Sequence, residues 1–263
     1  MITKRSLSVV LTCLGLILLS GVASAQSGTP SSKASADITT LTVCTVQASS
    51  NGSPTTPNTI PIACTNGQVT PDNFVQIMGA TVKVSNSESL FVSPSLVTGL
   101  YTQTQVKGNN GSSSSATAMG GVYMRAILTN ASTGQQVIGA PVSFCGDSVL
   151  GCGNVAGVYG VTLDTRIQTL TATLGTALNC LTVTTCTTVQ ESIDLALSTT
   201  STHTFNYIFP NVGAGTWYLS IQAAVNASAM SSANASALAE AAFGLGSVTI
   251  DTVRLIHDFS FQF

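Results

Sequence analysis

Charge is what this chain has least of. Asp, Glu, Lys and Arg make up 7% of its residues, against about 25% in an ordinary soluble domain. Lys and Arg are too few and too scattered to track a phosphate backbone, which excludes nucleic acid as a partner. No basic amphipathic stretch offers itself to an anionic membrane surface either. Histidine occurs twice and no two cysteines have C-x-x-C spacing, so no zinc-type ligand set is legible. Beyond residue 25, no apolar run approaches the roughly 18 residues of a membrane helix. The regular alternation of strand and helix that builds a parallel sheet is missing as well. No cofactor is implied.

What the chain does have is an export signal and a full set of paired cysteines. Residues 1–25 read as a signal peptide, with Lys4 and Arg5 ahead of an apolar run from Leu7 to Leu19 and the small-residue site Ala23-Ser24-Ala25. Cleavage there predicts a protein that is secreted, periplasmic or displayed at the cell surface. Without Lys4 and Arg5, six basic residues face ten acidic ones, a net charge of about −4. Six cysteines remain, and an even number in an exported chain points to disulfides. The spacings favour Cys44 with Cys64, Cys145 with Cys152 and Cys180 with Cys186, each worth about 2 to 3 kcal/mol in the chain-entropy model.

Hydrophobic periodicity is overwhelmingly of period two. The clearest case starts with His203, Phe205, Tyr207 and Phe209 on one side of an extended chain. A reversal at 210–215 follows, then Trp217, Leu219, Ile221, Ala223, Val225, Ala227 and Ala229 on one face, which predicts a hairpin. Strands are expected at 38–46, 75–84 with a bulge at Gly79, 90–106, 122–128, 137–144, 193–197 and 248–256. Ala233 to Phe243 repeats its alanines at period two and is read as a strand, with helix as the alternative. Its small-residue face suggests close packing against a second copy of the chain. The Ser- and Gly-rich tract 107–121 reads as a long loop. A single helix is expected from Asp164, where Ile167, Leu170, Leu174, Ala177 and Leu178 fall at helical spacing. Phe259, Phe261 and Phe263 imply that the C-terminus docks.

The expected fold is therefore all-β: an antiparallel β-sandwich, jelly-roll or immunoglobulin-like, with at most one short helix. Residues 26–36 would be a disordered leader, and 37–263 a single domain whose N-terminal flap, 37–66, is closed by a disulfide. The turn at 130–134 followed by Gly139-Ala140-Pro141-Val142 and Phe144 resembles extracellular immunoglobulin-like modules.

Candidate chemistry is sparse. Phe144-Cys145-Gly146-Asp147-Ser148 resembles the nucleophile block of the SGNH or GDSL hydrolases, and the resemblance makes Ser148 a candidate nucleophile. That family also needs an Asp three residues before a C-terminal His, whereas Arg254 stands three before His257. A polar turn closed by a disulfide accounts for the block equally well, since a nucleophile without its base is inert. His203 reads as a packed residue with a satisfied hydrogen bond, and His257 and Asp258 point to opposite faces of a strand. Glu191 and Asp194 form a candidate carboxylate pair, with a solvated strand edge as the plainer reading. Trp217, Tyr218, Tyr207 and Tyr101 are candidate members of an aromatic platform; Trp217 falls on the core side, and Tyr218 and Tyr207 are the residues expected to meet a ligand. Sequons at Asn51, Asn110, Asn130, Asn226 and Asn234 report exposure only.

These readings converge on a non-enzymatic exported β-sandwich with a structural, adhesive or interaction role. A carbohydrate-binding module is the alternative, and a serine hydrolase using Ser148 the third. The partner would be a protein or a glycan.

Overall fold

The structure, a computed structural model, describes residues 34–39, 42–52, 58–66, 69–70, 73–108, 111–141, 144–145, 158–182 and 185–253. They form strands and turns, with no helix among the described residues. In chain order the strands are β1 (Ala34–Thr39), β2 (Cys44–Asn51), β3 (Asn58–Cys64), β4 (Val75–Val84), β5 (Glu88–Lys107), β6 (Ser113–Asn130), β7 (Gln136–Ile138) and β8 (Phe144–Cys145). There follow β9 (Val158–Tyr159), β10 (Val161–Thr173), β11 (Thr176–Thr182), β12 (Thr185–Gln190), β13 (Ser192–Thr204), β14 (Tyr207–Val212), β15 (Gly215–Ser231) and β16 (Ala235–Val253).

Two antiparallel sheets carry the fold. Sheet A runs β13-β5-β16-β2-β3, with β14 continuing the line of β13 along β5 and β1 continuing that of β2 along β16. Sheet B runs β10-β6-β15-β4, and β7 lies beside β6. Most connections pass from one sheet to the other, as from β4 to β5, β5 to β6, β14 to β15 and β15 to β16. The expected hairpin at 203–229 is therefore an arch: β14 pairs with β5 in sheet A, whereas β15 pairs with β4 and β6 in sheet B. Alternation specifies which face a residue takes, and an arch satisfies it as well as a hairpin does.

Local chemistry explains the irregularities. Pro94 sits within β5 and has no N–H to give a ladder. The neighbouring ladder is interrupted just there, β13 ending opposite Ser95 and β14 beginning opposite Val92, while Phe205 N donates to Pro94 O across the gap at 3.1 Å. In β4 the partners of Ile221 and Gln222 are Met78 and Gln76, so Ile77 is an extra residue and both Ile77 and Met78 turn inward. That bulge lies two residues before the expected position, and one strand spans it. Asn130 Oδ1 accepts from Ser132 and Thr133 N at 2.9 and 3.0 Å, closing the anticipated turn before Gly134 at φ 70.

The inner faces pack as a taper. At one end Tyr207, Phe209, Phe243, Leu90 and Trp217 fill the space between the sheets. At the other, Ala235, Ala237, Ala239 and Ala241 of β16 meet Ala116, Ala118 and Gly120 of β6. The approach is close enough that a Cβ on Gly120 would lie 3.0 Å from Glu240 O. The alanine face is thus buried inside the sandwich, and it is not the surface for a second copy that its small residues suggested.

Several expectations are corrected. The segment expected as a helix is strand β10, with Thr162, Thr165, Ile167, Thr169, Thr171 and Thr173 outward and Gln168, Leu170 and Ala172 inward. Helical spacing of five apolar residues was outweighed by β-branched threonines, which lose χ1 freedom in a helix and fit a pleated surface. Most of the expected loop at 107–121 is strand: β6 begins at Ser113, and Ser113, Ser114 and Ser115 pair with Thr173, Ala172 and Thr171. β1 opens at Ala34, inside the segment expected as leader. The C-terminal phenylalanines lie outside the described residues.

Among the described residues two disulfides are formed, Cys44–Cys64 and Cys180–Cys186, as befits an oxidising environment; Cys152 lies outside them. They differ in leverage. Cys44 is buried at the β2–β3 pairing, and replacing Cys44 and Cys64 by Ala should cost about 3 kcal/mol for its 20-residue separation. Cys180–Cys186 staples the β11–β12 hairpin, whose described residues are exposed. Replacing that pair by Ser should leave the unfolding midpoint unchanged in denaturant titration, because the hairpin adds nothing to the core.

Candidate functional site

Where β10 and β13 form the neighbouring free edges of the two sheets, polar side chains converge between them. The alternation of β13 sends Thr199, Ser201 and His203 inward, opposite Leu100, Thr98 and Leu96. From β10 come Asp164, Arg166 and Gln168. Ser201 Oγ lies 2.7 Å from His203 Nε2, the same nitrogen lies 3.3 Å from Asp164 Oδ2, and Thr98 Oγ1 donates to that carboxylate oxygen at 2.6 Å. Arg166 Nη2 donates to Thr199 Oγ1, and its Nη1 is buried without a hydrogen-bond partner. Gln168 completes the seam: its Oε1 accepts from Thr102 Oγ1 at 2.7 Å, and its Nε2 donates to Thr104 Oγ1 at 2.7 Å and to Leu195 O at 2.6 Å.

Serine, histidine and aspartate here invite comparison with a nucleophile relay, and the geometry opposes it. A relay needs Ser on one imidazole nitrogen and the carboxylate on the other, so that one accepts while the other donates. Both contacts here fall on Nε2. One nitrogen cannot accept the Ser201 proton while donating to Asp164. The cluster joins the two sheets and leaves no activated hydroxyl.

The second site is on the outer face of sheet A. A trough of about 400 Å³ is lined by five strands, its floor made by Gly99 and Ala242, which are cross-strand partners. Beside that floor runs the row Gln47, Glu240, Tyr101 and Ser198. These groups hold one another: Gln47 Nε2 donates to Glu240 Oε1 at 2.8 Å, Tyr101 OH to Gln103 Oε1 at 3.1 Å, and Gln103 Nε2 to both Asp194 oxygens at 3.1 and 3.0 Å. Tyr101 reaches the residue two along its own strand, so its ring leans along the sheet. The Cys44–Cys64 bond fixes the rim, where Ala63 pairs with Thr45.

The residues singled out from sequence are dispersed. Tyr218 is 51% exposed on the outer face of sheet B. Tyr207 is buried beside Phe205, ring centroids 5.0 Å apart, and its hydroxyl donates to Met124 O at 2.7 Å. A side chain of sheet A thus ties down a carbonyl of sheet B, and Tyr207 belongs to the core rather than to a contact surface. Burial raises its phenol's pKa, and burial likewise raises that of Tyr123, partly offset by a hydrogen bond with Asn226. Trp217 is in the core, its Nε1 donating to Gly213 O at 2.9 Å. Glu191 accepts from Gly175 N at 3.3 Å, while Asp194 is held by Gln103, so the two carboxylates serve separate contacts. Ser148, His257 and Asp258 lie outside the described residues. Alternation had placed His203 on the inner face, but nothing in the sequence marked Asp164 or Gln168 as its neighbours, because they arrive from the strand read as helix.

No protein-family model and no curated protein matches the chain. Among solved structures, the chain is similar to that of the infectious bursal disease virus VP2 subviral particle, at 12% identity over 85% of this chain and 42% of that one, with a TM-score of 0.15. A second likeness is to the infectious bursal disease virus Gx strain, at 11% identity over 86% and 42%, TM-score 0.16. The chain spans less than half the length of either.

Proposed function

We propose that the protein is an exported, non-catalytic β-sandwich that works by presenting a surface, in an adhesive, structural or interaction role outside the cytoplasm. The observation that carries this reading is the outer face of sheet A, where amides and carboxylates are held in cross-strand pairs beside a concave floor. Such a face is organised before any partner arrives, which lowers the entropic cost of binding. A low-charge surface rich in hydroxyls and amides suits this role, as do disulfides stable in an oxidising setting. Purified mature protein should sediment with isolated envelopes of the cells that export it, and should stay unlabelled by a serine-directed fluorophosphonate. Stoichiometric labelling, or complete recovery in the supernatant, contradicts the proposal. A second reading rests on Tyr218, whose exposure on sheet B makes it a stacking surface for a glycan. On that reading Tyr218→Ala abolishes envelope binding.

A further inference from the structure

The geometry points to the trough on sheet A as a binding site for a neutral oligosaccharide, an inference that rests on the surface role proposed above and names its ligand. Three features of the site converge on that chemistry. Its rim offers hydroxyls from Thr45, Ser198 and Thr200, which donate and accept alike, and the amide–carboxylate pair Gln47–Glu240. A ligand matching that set carries many groups that both donate and accept, as a polyol does. Tyr101 adds an apolar ring leaning along the sheet, the complement of the C–H face of a pyranose. The row runs across the strands, so successive contacts are about 4.8 Å apart, a spacing suited to consecutive sugar rings rather than to a single small molecule.

Other ligand classes fit less well. Glu240 stands in the trough and no Lys or Arg lines it, which disfavours phosphate and acidic sugars. An extended peptide gains its affinity by adding to a sheet edge. The trough lies on the face of five paired strands, where the backbone groups are already in ladders.

Gly99 makes the site testable without endangering the fold. A Cβ there would meet only Ala242 Cβ, at 3.9 Å, so Gly99→Val fills the floor without a backbone clash. The full mature protein is titrated by calorimetry with neutral hexasaccharides: α-1,4- and β-1,4-linked glucose, β-1,4-linked N-acetylglucosamine and α-linked mannose. At least one binds with a Kd at or below about 1 mM. Gly99→Val removes that binding while the thermal midpoint stays at the native value. Tyr101→Ala weakens it about tenfold, whereas Tyr101→Phe, which keeps the ring, and Tyr218→Ala leave it within about twofold. Silence of all four sugars, or native affinity in both Gly99→Val and Tyr101→Ala, overturns the inference. Silence with envelope sedimentation retained removes the sugar and leaves the surface role, whereas loss of sedimentation removes both.

Discussion

Replacing Gln168 by Leu is expected to lower the unfolding free energy by about 3 kcal/mol, because it strands buried partners on two neighbouring strands. Gln168 is 5% exposed, and Thr102 and Thr104 are fully buried. The amide satisfies both hydroxyls and the Leu195 carbonyl, and leucine satisfies none of the three. At the size of this domain the loss corresponds to a fall of about 8 °C in the thermal midpoint. Adding Thr102→Val and Thr104→Val to Gln168→Leu should recover most of it, since both fully buried hydroxyls are then replaced by apolar groups and only the part-buried Leu195 carbonyl keeps no side-chain partner. Circular dichroism during thermal and urea unfolding of the three proteins checks this. Equal destabilisation of the single and triple variants would show that volume, not hydrogen bonding, governs the seam.

Alkali should unfold the protein steeply. Tyr123 and Tyr207 have raised pKa values in the fold because burial penalises the phenolate, whereas in the unfolded chain each ionises near pH 10. Above that pH the folded state holds protons that the unfolded state has lost, so stability falls by about 1.4 kcal/mol per pH unit for each buried tyrosine. Below it, neither contributes a slope. Tyr207→Phe should remove its own share of that slope and leave the share of Tyr123. It should also cost about 1 kcal/mol at neutral pH, where the bond to Met124 O is lost. Urea titrations between about pH 8 and pH 11, with tyrosinate absorbance as the second signal, read both effects.

Much of the architecture was legible from residue alternation, and its limits follow from the same cause. The inner faces of β5, β14, β15 and β16 are the alternate residues that the sequence shows, down to Tyr207 and Trp217. Alternation does not say whether consecutive strands pair or arch, so the partners of β14 and β15 were not legible. Composition misled where two signals competed. Ser113–Ser115 looks like loop because its side chains are small and polar, yet it pairs with β10, and Ser115 is bonded to Ser232 just beyond β15. Across β10 and β11 apolar residues happened to fall at helical spacing along a threonine-rich stretch.

That misreading also hid the seam, since Asp164, Arg166 and Gln168 face β13 only if β10 is extended. The trough was hidden for another reason. Gln47, Tyr101, Ser198 and Glu240 are far apart in sequence and become neighbours only through the register of β2, β16, β5 and β13. Of these, only Tyr101 carried a signal of its own, as a candidate for an aromatic platform. Sequence pattern also favoured Tyr207 for ligand contact, because a tyrosine on the aromatic side of a strand looks the same whether that side is covered or open.

The account stands on the claim that the outer face of sheet A is the working surface. Envelope sedimentation of a Gln47→Ala, Tyr101→Ala double variant against Tyr218→Ala separates the two outer faces of the sandwich. The sheet A variant should remain in the supernatant while Tyr218→Ala sediments like the native protein. Sedimentation of the sheet A variant with loss of Tyr218→Ala would contradict the claim and move the function to sheet B.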